Sequence, residues 1–141
     1  MSQESGIRFE DLKEGQEHSY TMVLEANKIQ AFAELVEDTA PVHVDRSHAV
    51  SMGYDDTIAH GLLVGAGFSR SLGMFLPGGD TVIHQLKLDY RAPVYPGDSL
   101  TYTVRVARVL APVKTVLLTL TAYKQKDVQV CSGSATCVYK H

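Results

Sequence analysis

The sequence predicts an α+β domain in which a curved antiparallel sheet wraps around one long central helix. Three observations predict it. A nearly unbroken apolar segment, residues 61–75, lies in the middle of the chain. The hydrophobic period changes from 3.6 to 2 directly after it, and the period-2 pattern then persists through four strand-length runs to the C-terminus.

In chain order, the polar N-terminal stretch predicts one short strand, Glu17 to Leu24, leading into a helix. Ile29, Phe32, Ala33 and Val36 recur at i, i+3, i+4, i+7 and give that helix one buried face from Asn27 to about Val36. Asn27 is its expected N-cap. The helix is expected to end near Pro41, because a residue before proline avoids helical dihedrals. A second short helix is predicted from Ser47 to about Met52, with Asp45 near its start where a carboxylate suits the unpaired amides.

Gly61 to Phe75 is the central helix. Leu62, Leu63, Val64, Ala66, Phe68, Leu72 and Met74 make it apolar almost all round, so burial on most sides is expected. Gly65 and Gly67 would each cost about 1 kcal/mol against Ala in an exposed helix, which predicts a neighbouring backbone too close for larger side chains. Pro77-Gly78-Gly79-Asp80 ends the helix in a turn. Alternation then marks strands around Leu86, Leu88 and Tyr90, around Leu100 to Val106, and around Val116 to Leu120. A last strand runs from about Val128 to Tyr139. A sheet apolar on one face needs a cover, and the central helix supplies it.

With 141 residues, a single domain spanning 1–141 is expected. A chain of this size buries roughly 68–70% of its unfolded surface, enough to fold without metal or disulfide. Cys131 and Cys137 share one strand. Six residues apart on extended chain, their Cα atoms would lie about 20 Å apart, too far to bridge, so free thiols are expected. The start, Met1 to Ser5, lacks the basic and apolar blocks of a signal peptide, and no run approaches a membrane span. The net charge of −3, without a basic stripe, argues against nucleic-acid binding. A cytoplasmic protein is expected.

The polar residues that bear on chemistry lie between the helices. Glu37-Asp38-Thr39-Ala40-Pro41-Val42-His43-Val44-Asp45 reads as a proline-stiffened loop, followed later by Ala59-His60-Gly61. Asp38 and His43 can converge and share one water, one group accepting a proton while the other donates. Gly61 opens the central helix, where unpaired amides favour an oxyanion. By spacing alone, an Asp and a His in one loop more often cap helices or form a structural hydrogen bond.

These stretches resemble the MaoC-like, (R)-specific enoyl-CoA hydratase family, whose hallmark runs G-D-x-N-P-[LIV]-H-x-D and then A-H-G-[ML]-L. The matching residues are Asp38, Pro41, Val42, His43 and Asp45, then Ala59, His60, Gly61, Leu62 and Leu63. The likeness extends to Phe32-Ala33, Leu76-Pro77-Gly78, Gln85 and Pro93-Val94-Tyr95-Pro96-Gly97-Asp98, covering about residues 20 to 139.

The resemblance implies a hot-dog fold and a hydratase or dehydratase of acyl thioesters. Asp38 and His43 would be the catalytic pair and Gly61 the oxyanion donor. Asp45 and His60 would support them, and the acyl chain would enter a tunnel beside the central helix. Ala40, Leu62, Ala66 and Gln85 are the expected substrate contacts. The implied partners are a thioester on coenzyme A or acyl-carrier protein and a second copy of the chain in a homodimer, with no cofactor.

Two positions depart from the family. Its Asn is Ala40 here, which cannot hold water through its side chain. Its Gly before the Asp is Glu37, expected at a helix end. A Ser carried by some members falls at Ala66.

The alternatives are a dehydratase on a carrier-bound beta-hydroxyacyl group, a hot-dog thioesterase, or a non-catalytic acyl-binding subunit. Asp45 also reads as a helix cap, and His60 as a residue that orders the loop. His43, Asp45, His48 and His60 lack the i, i+4 His pair of a helical zinc motif, so no metal is expected. His84 reads as a surface or groove residue, His18 and His141 carry no signal, and Tyr90 and Tyr102 read as sheet residues first.

Overall fold

A computed structural model of the protein describes residues 6–140. Met1 to Ser5 and His141, on which sequence expectations were stated above, lie outside the described residues. The elements are β1 (Glu17–Leu24), α1 (Ala26–Val36), α2 (Pro41–Val44), α3 (Arg46–Ser51), α4 (Gly61–Arg70), β2 (Thr81–Tyr90), β3 (Asp98–Leu110), β4 (Thr115–Lys124) and β5 (Val128–Tyr139). Short 3-10 turns sit at Phe9–Asp11 and Ala111–Val113, and α4 runs on into a π-helical turn, Ser71–Phe75. No helix among the described residues is long and apolar enough to cross a membrane.

All five strands form one antiparallel sheet in the order β1-β3-β4-β5-β2. Alternation puts Leu100, Tyr102, Val104 and Val106 inward from β3, with Val116, Leu118, Leu120 and Ala122 beside them from β4, all essentially inaccessible to solvent. Cys131 and Cys137 are free, as expected, and buried in β5. Burial pushes both thiols up to about 11, so they stay neutral and unreactive near neutrality. The connection from β2 carries the chain past Pro93 and Pro96 to start β3 beside β1, and β2 pairs instead with β5. Alternation along a strand carries no information about which strand lies beside it.

The sheet is strongly curled. Phenols from β2, β3 and β1 reach the same helix: Tyr90 donates to the Gly61 carbonyl at 2.6 Å, Tyr102 to Val64 O at 2.6 Å, and Tyr20 to Gly67 O. Gly61 and Gly67 are about 9 Å apart along a helix rising 1.5 Å per residue. The outer strands of a flat five-stranded sheet would stand about 19 Å apart. Both edges touch α4 within that span only because the sheet folds around it.

Several expectations are corrected. The N-cap position of α1 is Glu25, without a side-chain cap, because β1 feeds directly into the helix; Asn27 lies in the first turn. The C-terminal bound at Val36 is as expected, and the stop comes from Glu37, which turns left-handed at φ 59°, before Pro41 is reached. Pro41 opens α2 instead of stiffening a loop, since its fixed φ and missing N–H suit the first helical position. The glycines of α4 meet side chains, not backbone. A Cβ on Gly65 would lie 2.5 Å from Leu88 Cδ1, and one on Gly67 would lie 2.1 Å from Tyr102 Cζ. Nor is α4 buried on most sides in a single chain. Leu62 is 75% and Met74 52% exposed, with Ala66 also exposed, because the sheet covers only the opposite face.

Gly67→Ala tests that packing. Alanine is the better helix former by about 1 kcal/mol, yet Tyr102 is fully buried and has no room to yield. Overpacking of about 1–3 kcal/mol is expected to prevail. After the helix-propensity gain is subtracted, the melting temperature should fall by up to about 7 °C in a thermal scan.

Candidate active site

Glu37 reverses the chain after α1, and the Asp38 N–H closes the turn on Ala33 O at 3.0 Å. Asp38 Oδ1 accepts the Ala40 N–H at 3.2 Å, which turns the backbone again toward Pro41. His43 then sits on the single turn of α2. Its Nδ1–H donates to Ile58 O at 2.7 Å, while Ile58 N–H donates to Val42 O at 3.1 Å. A carbonyl can only accept, so the Nδ1 proton is assigned, and in the neutral ring Nε2 carries the free lone pair. His60 Nε2–H donates in turn to Asp38 O at 2.9 Å, which assigns the opposite tautomer. Its Nδ1 is buried with no hydrogen-bond partner among the described residues.

The two imidazoles stack, centroids 3.8 Å apart and planes inclined by 25°, and Phe32 closes edge-on over His60. Polar side-chain atoms of Asp38, His43 and His60 all lie within 4.8 Å of one another. That spacing alone would suit a metal ion. Imidazole lone pairs lie in the ring planes, however, and planes stacked this way meet far beyond the ~2.0–2.1 Å of a metal–nitrogen bond. The arrangement suits a shared water and a proton.

Gly61 follows His60 and is the first residue of α4, so its N–H has no acceptor inside the helix. The Pro93 to Asp98 stretch forms a wall beside it. Asp98 anchors this stretch by accepting from Tyr95 N–H and Gln125 Nε2, both at 2.8 Å, while Lys124 Nζ donates to Pro93 O at 2.7 Å. A cavity of about 410 Å³ opens at His43, Thr39 and Pro96 against α1. Another of about 330 Å³ opens at Gly61, Val64 and Tyr90 against Pro93 and Val94. The segment from Thr57 to Gly61 lies between them.

The structure therefore gathers Asp38, His43 and His60, with Gly61 adjoining. Asp45 has a different place: it N-caps α3 by accepting the His48 N–H at 3.3 Å, and Ser47 Oγ donates to it at 2.9 Å. Those two bonds hold its carboxyl below the usual range. Leu62 and Ala66 lie on the uncovered face of α4, Gln85 is exposed on β2, and Ala40 offers only its backbone. None of these four lines either cavity. His84 is exposed at a bulge in β2. His18, which carried no signal, stacks on Phe75 and is hydrogen-bonded to Ser71 at 3.0 Å. The ring stack and the Tyr90–Gly61 contact had no local sequence signal.

The FAS1-like dehydratase domain region family model matches residues 15–132. The chain is 37% identical over 128 residues to an (R)-specific enoyl-CoA hydratase from Rhodospirillum rubrum, covering 91% of this chain and 88% of that one. It is 32% identical to a 3-hydroxybutyryl-CoA dehydratase from Methylorubrum extorquens, covering 92% and 82%. An R-hydratase structure from Pseudomonas aeruginosa superposes with a TM-score of 0.89 at 31% identity, covering 98% and 88%.

Glu37→Gly should stabilise the protein by about 0.5–1 kcal/mol, because a left-handed conformation costs a residue bearing a Cβ about 1–2 kcal/mol and the greater unfolded-state entropy of glycine takes back part of that gain. A higher urea midpoint with unchanged slope is the expected readout.

Proposed function

The chain belongs to the FAS1-like, MaoC-like dehydratases of hot-dog fold, and from that premise we propose that it adds water reversibly to a trans-2-enoyl thioester, giving the (R)-3-hydroxyacyl thioester. The observation that supports this reading is the convergence of Asp38 and His43 on His60, the residue that precedes the first amide of α4, with the His43 Nδ1–H engaged by Ile58 O so that Nε2 is the ring nitrogen left for a water.

In the hydration direction, Gly61 N–H receives the charge that develops on the thioester oxygen as the double bond accepts water. His43 Nε2 and the free oxygen of Asp38 hold that water. One of them takes its proton as the oxygen–Cβ bond forms, and a proton returns from the pair to Cα. The product gains one water and nothing else. Dehydration is the same path reversed.

Asp38→Asn is the clean test, since the amide oxygen can still accept the Ala40 N–H while the charge is lost. Hydration, followed as loss of the conjugated enoyl-thioester absorbance, should slow by about 10²–10⁴-fold. A variant as fast as wild type ends the proposed mechanism.

A second reading, dehydration of a beta-hydroxyacyl group on a carrier protein, is favoured by Ala40. Only the backbone of residue 40 serves Asp38, so the water has one fewer polar partner than in relatives bearing Asn. Turnover of one acyl group presented on coenzyme A and on a carrier protein separates the two readings.

A homodimer fits the open edge of the sheet. β2 ends the strand order, and Val82, Ile83 and Leu86 on it are 43–44% exposed beside the uncovered face of α4. Leu86→Lys is expected to halve the mass seen by sedimentation.

A further inference from the structure

The first residue of α4 rests on a phenol. Tyr90, on the edge strand β2, donates its hydroxyl to Gly61 O at 2.6 Å. A Cβ built on Gly61 would also lie 3.1–3.4 Å from three carbons of the same ring. Tyr90 thus bonds this residue through its oxygen and limits the side chain there through its ring. It lines the same cavity as Gly61, and burial pushes its phenol above the usual value, so it remains an O–H donor throughout the neutral range.

The ring crowds any Cβ at residue 61, and the glycine there creates a difficulty. With no Cβ its backbone is the freest of any residue, and a first-turn amide has no acceptor in its own helix to aim it. Two peptide planes flank the Gly61 Cα. The preceding plane carries the N–H in question and is tied at its other end, where His60 O accepts from Val64 N–H at 3.1 Å. The following plane carries Gly61 O, which belongs to the helix ladder and which the Tyr90 hydroxyl also ties to the sheet. With both planes held, the Gly61 dihedrals have little left to vary.

We propose that Tyr90 is a positioning residue for the oxyanion hole: its hydroxyl fixes the Gly61 peptide so that the N–H points at the thioester oxygen, an inference that rests on the hydratase reading above. The aim of that amide matters more as charge builds on the oxygen than when the neutral thioester binds, so its loss falls on the chemical step.

The molecule contains its own control. Tyr102 makes the same kind of bond one turn further along, to Val64 O at 2.6 Å, and is fully buried. Its bond holds α4 to the sheet without touching the opening residue. Tyr90→Phe and Tyr102→Phe each remove one oxygen and keep the ring. Two measurements compare them: steady-state hydration of an enoyl-CoA, and the infrared carbonyl stretch of bound butyryl-CoA, which has no double bond to hydrate.

Tyr90→Phe is expected to lower kcat by about 10–100-fold with KM within about twofold, and to shrink the downshift of the bound carbonyl stretch. Tyr102→Phe is expected to lower the melting temperature while leaving kcat within about twofold and the carbonyl shift intact. Equal kcat losses in the two variants, or an unaltered shift in Tyr90→Phe, would overturn the positioning role. A wild-type complex with no downshift at all would remove the oxyanion assignment of Gly61 itself, and the positioning role with it.

Discussion

Three phenols from three strands grip one helix, and the rest of the molecule follows from that contact. Tyr90, Tyr102 and Tyr20 donate to the carbonyls of Gly61, Val64 and Gly67, which lie three residues apart along α4. Helix carbonyls already accept within the helix, but each has a second lone pair, so the phenols add bonds without breaking the ladder. Burial raises all three phenols and keeps them donors. The rings need room close to the helix axis, and glycines at 61, 65 and 67 provide it. Helix position, sheet curvature and glycine content therefore express one constraint.

That constraint reaches the candidate site through the residue before the helix. His60 is held by α4 behind it and by Phe32 in front, so its ring is a fixed surface against which His43 stacks. Its Nε2–H then fixes the backbone of Asp38. The carboxylate and imidazole come from a short segment with little core of its own: Asp38 is exposed, and α2 has no fully buried residue. Their precision is borrowed from the helix by way of His60. The family resemblance marks His60 in the A-H-G run, and the structure supplies the physical reason for an imidazole there. A ring of that size, with one N–H donor directed at a carbonyl, meets both demands.

Much of the architecture was legible from local pattern. β1 and β5 have the bounds that alternation implies, and Asp45 caps α3 as a carboxylate before a short helix should. Each of these is decided by residues within a few positions of one another. What escaped was long-range. Tyr90 and Gly61 are 29 residues apart and His60 and Asp38 are 22 apart, and neither pair carries a mark of its partner. The strand order was hidden for the same reason. Gly65 and Gly67 did signal a close approach, but a missing Cβ does not say whether a chain or a ring fills the space. The uncovered face of α4 shows a different limit: an all-round apolar helix records every surface it meets, including any outside its own chain.

The two departures from the family pattern act on different parts of the site. Glu37 occupies a left-handed position, so a Cβ is tolerated there at the expense of stability, and the turn that presents Asp38 survives. Ala40 leaves the geometry untouched as well, because the bond that orients Asp38 comes from the Ala40 backbone N–H and is indifferent to the side chain. What Ala40 lacks is a polar side chain, since a methyl group can neither donate nor accept a hydrogen bond. The positions of Asp38 and His43 are thus tied to main-chain groups, at Ile58 O, Asp38 O and Ala40 N, that survive any substitution short of proline at residue 40. A site wired this way can lose a polar side chain at residue 40 without rebuilding the cluster of Asp38, His43 and His60.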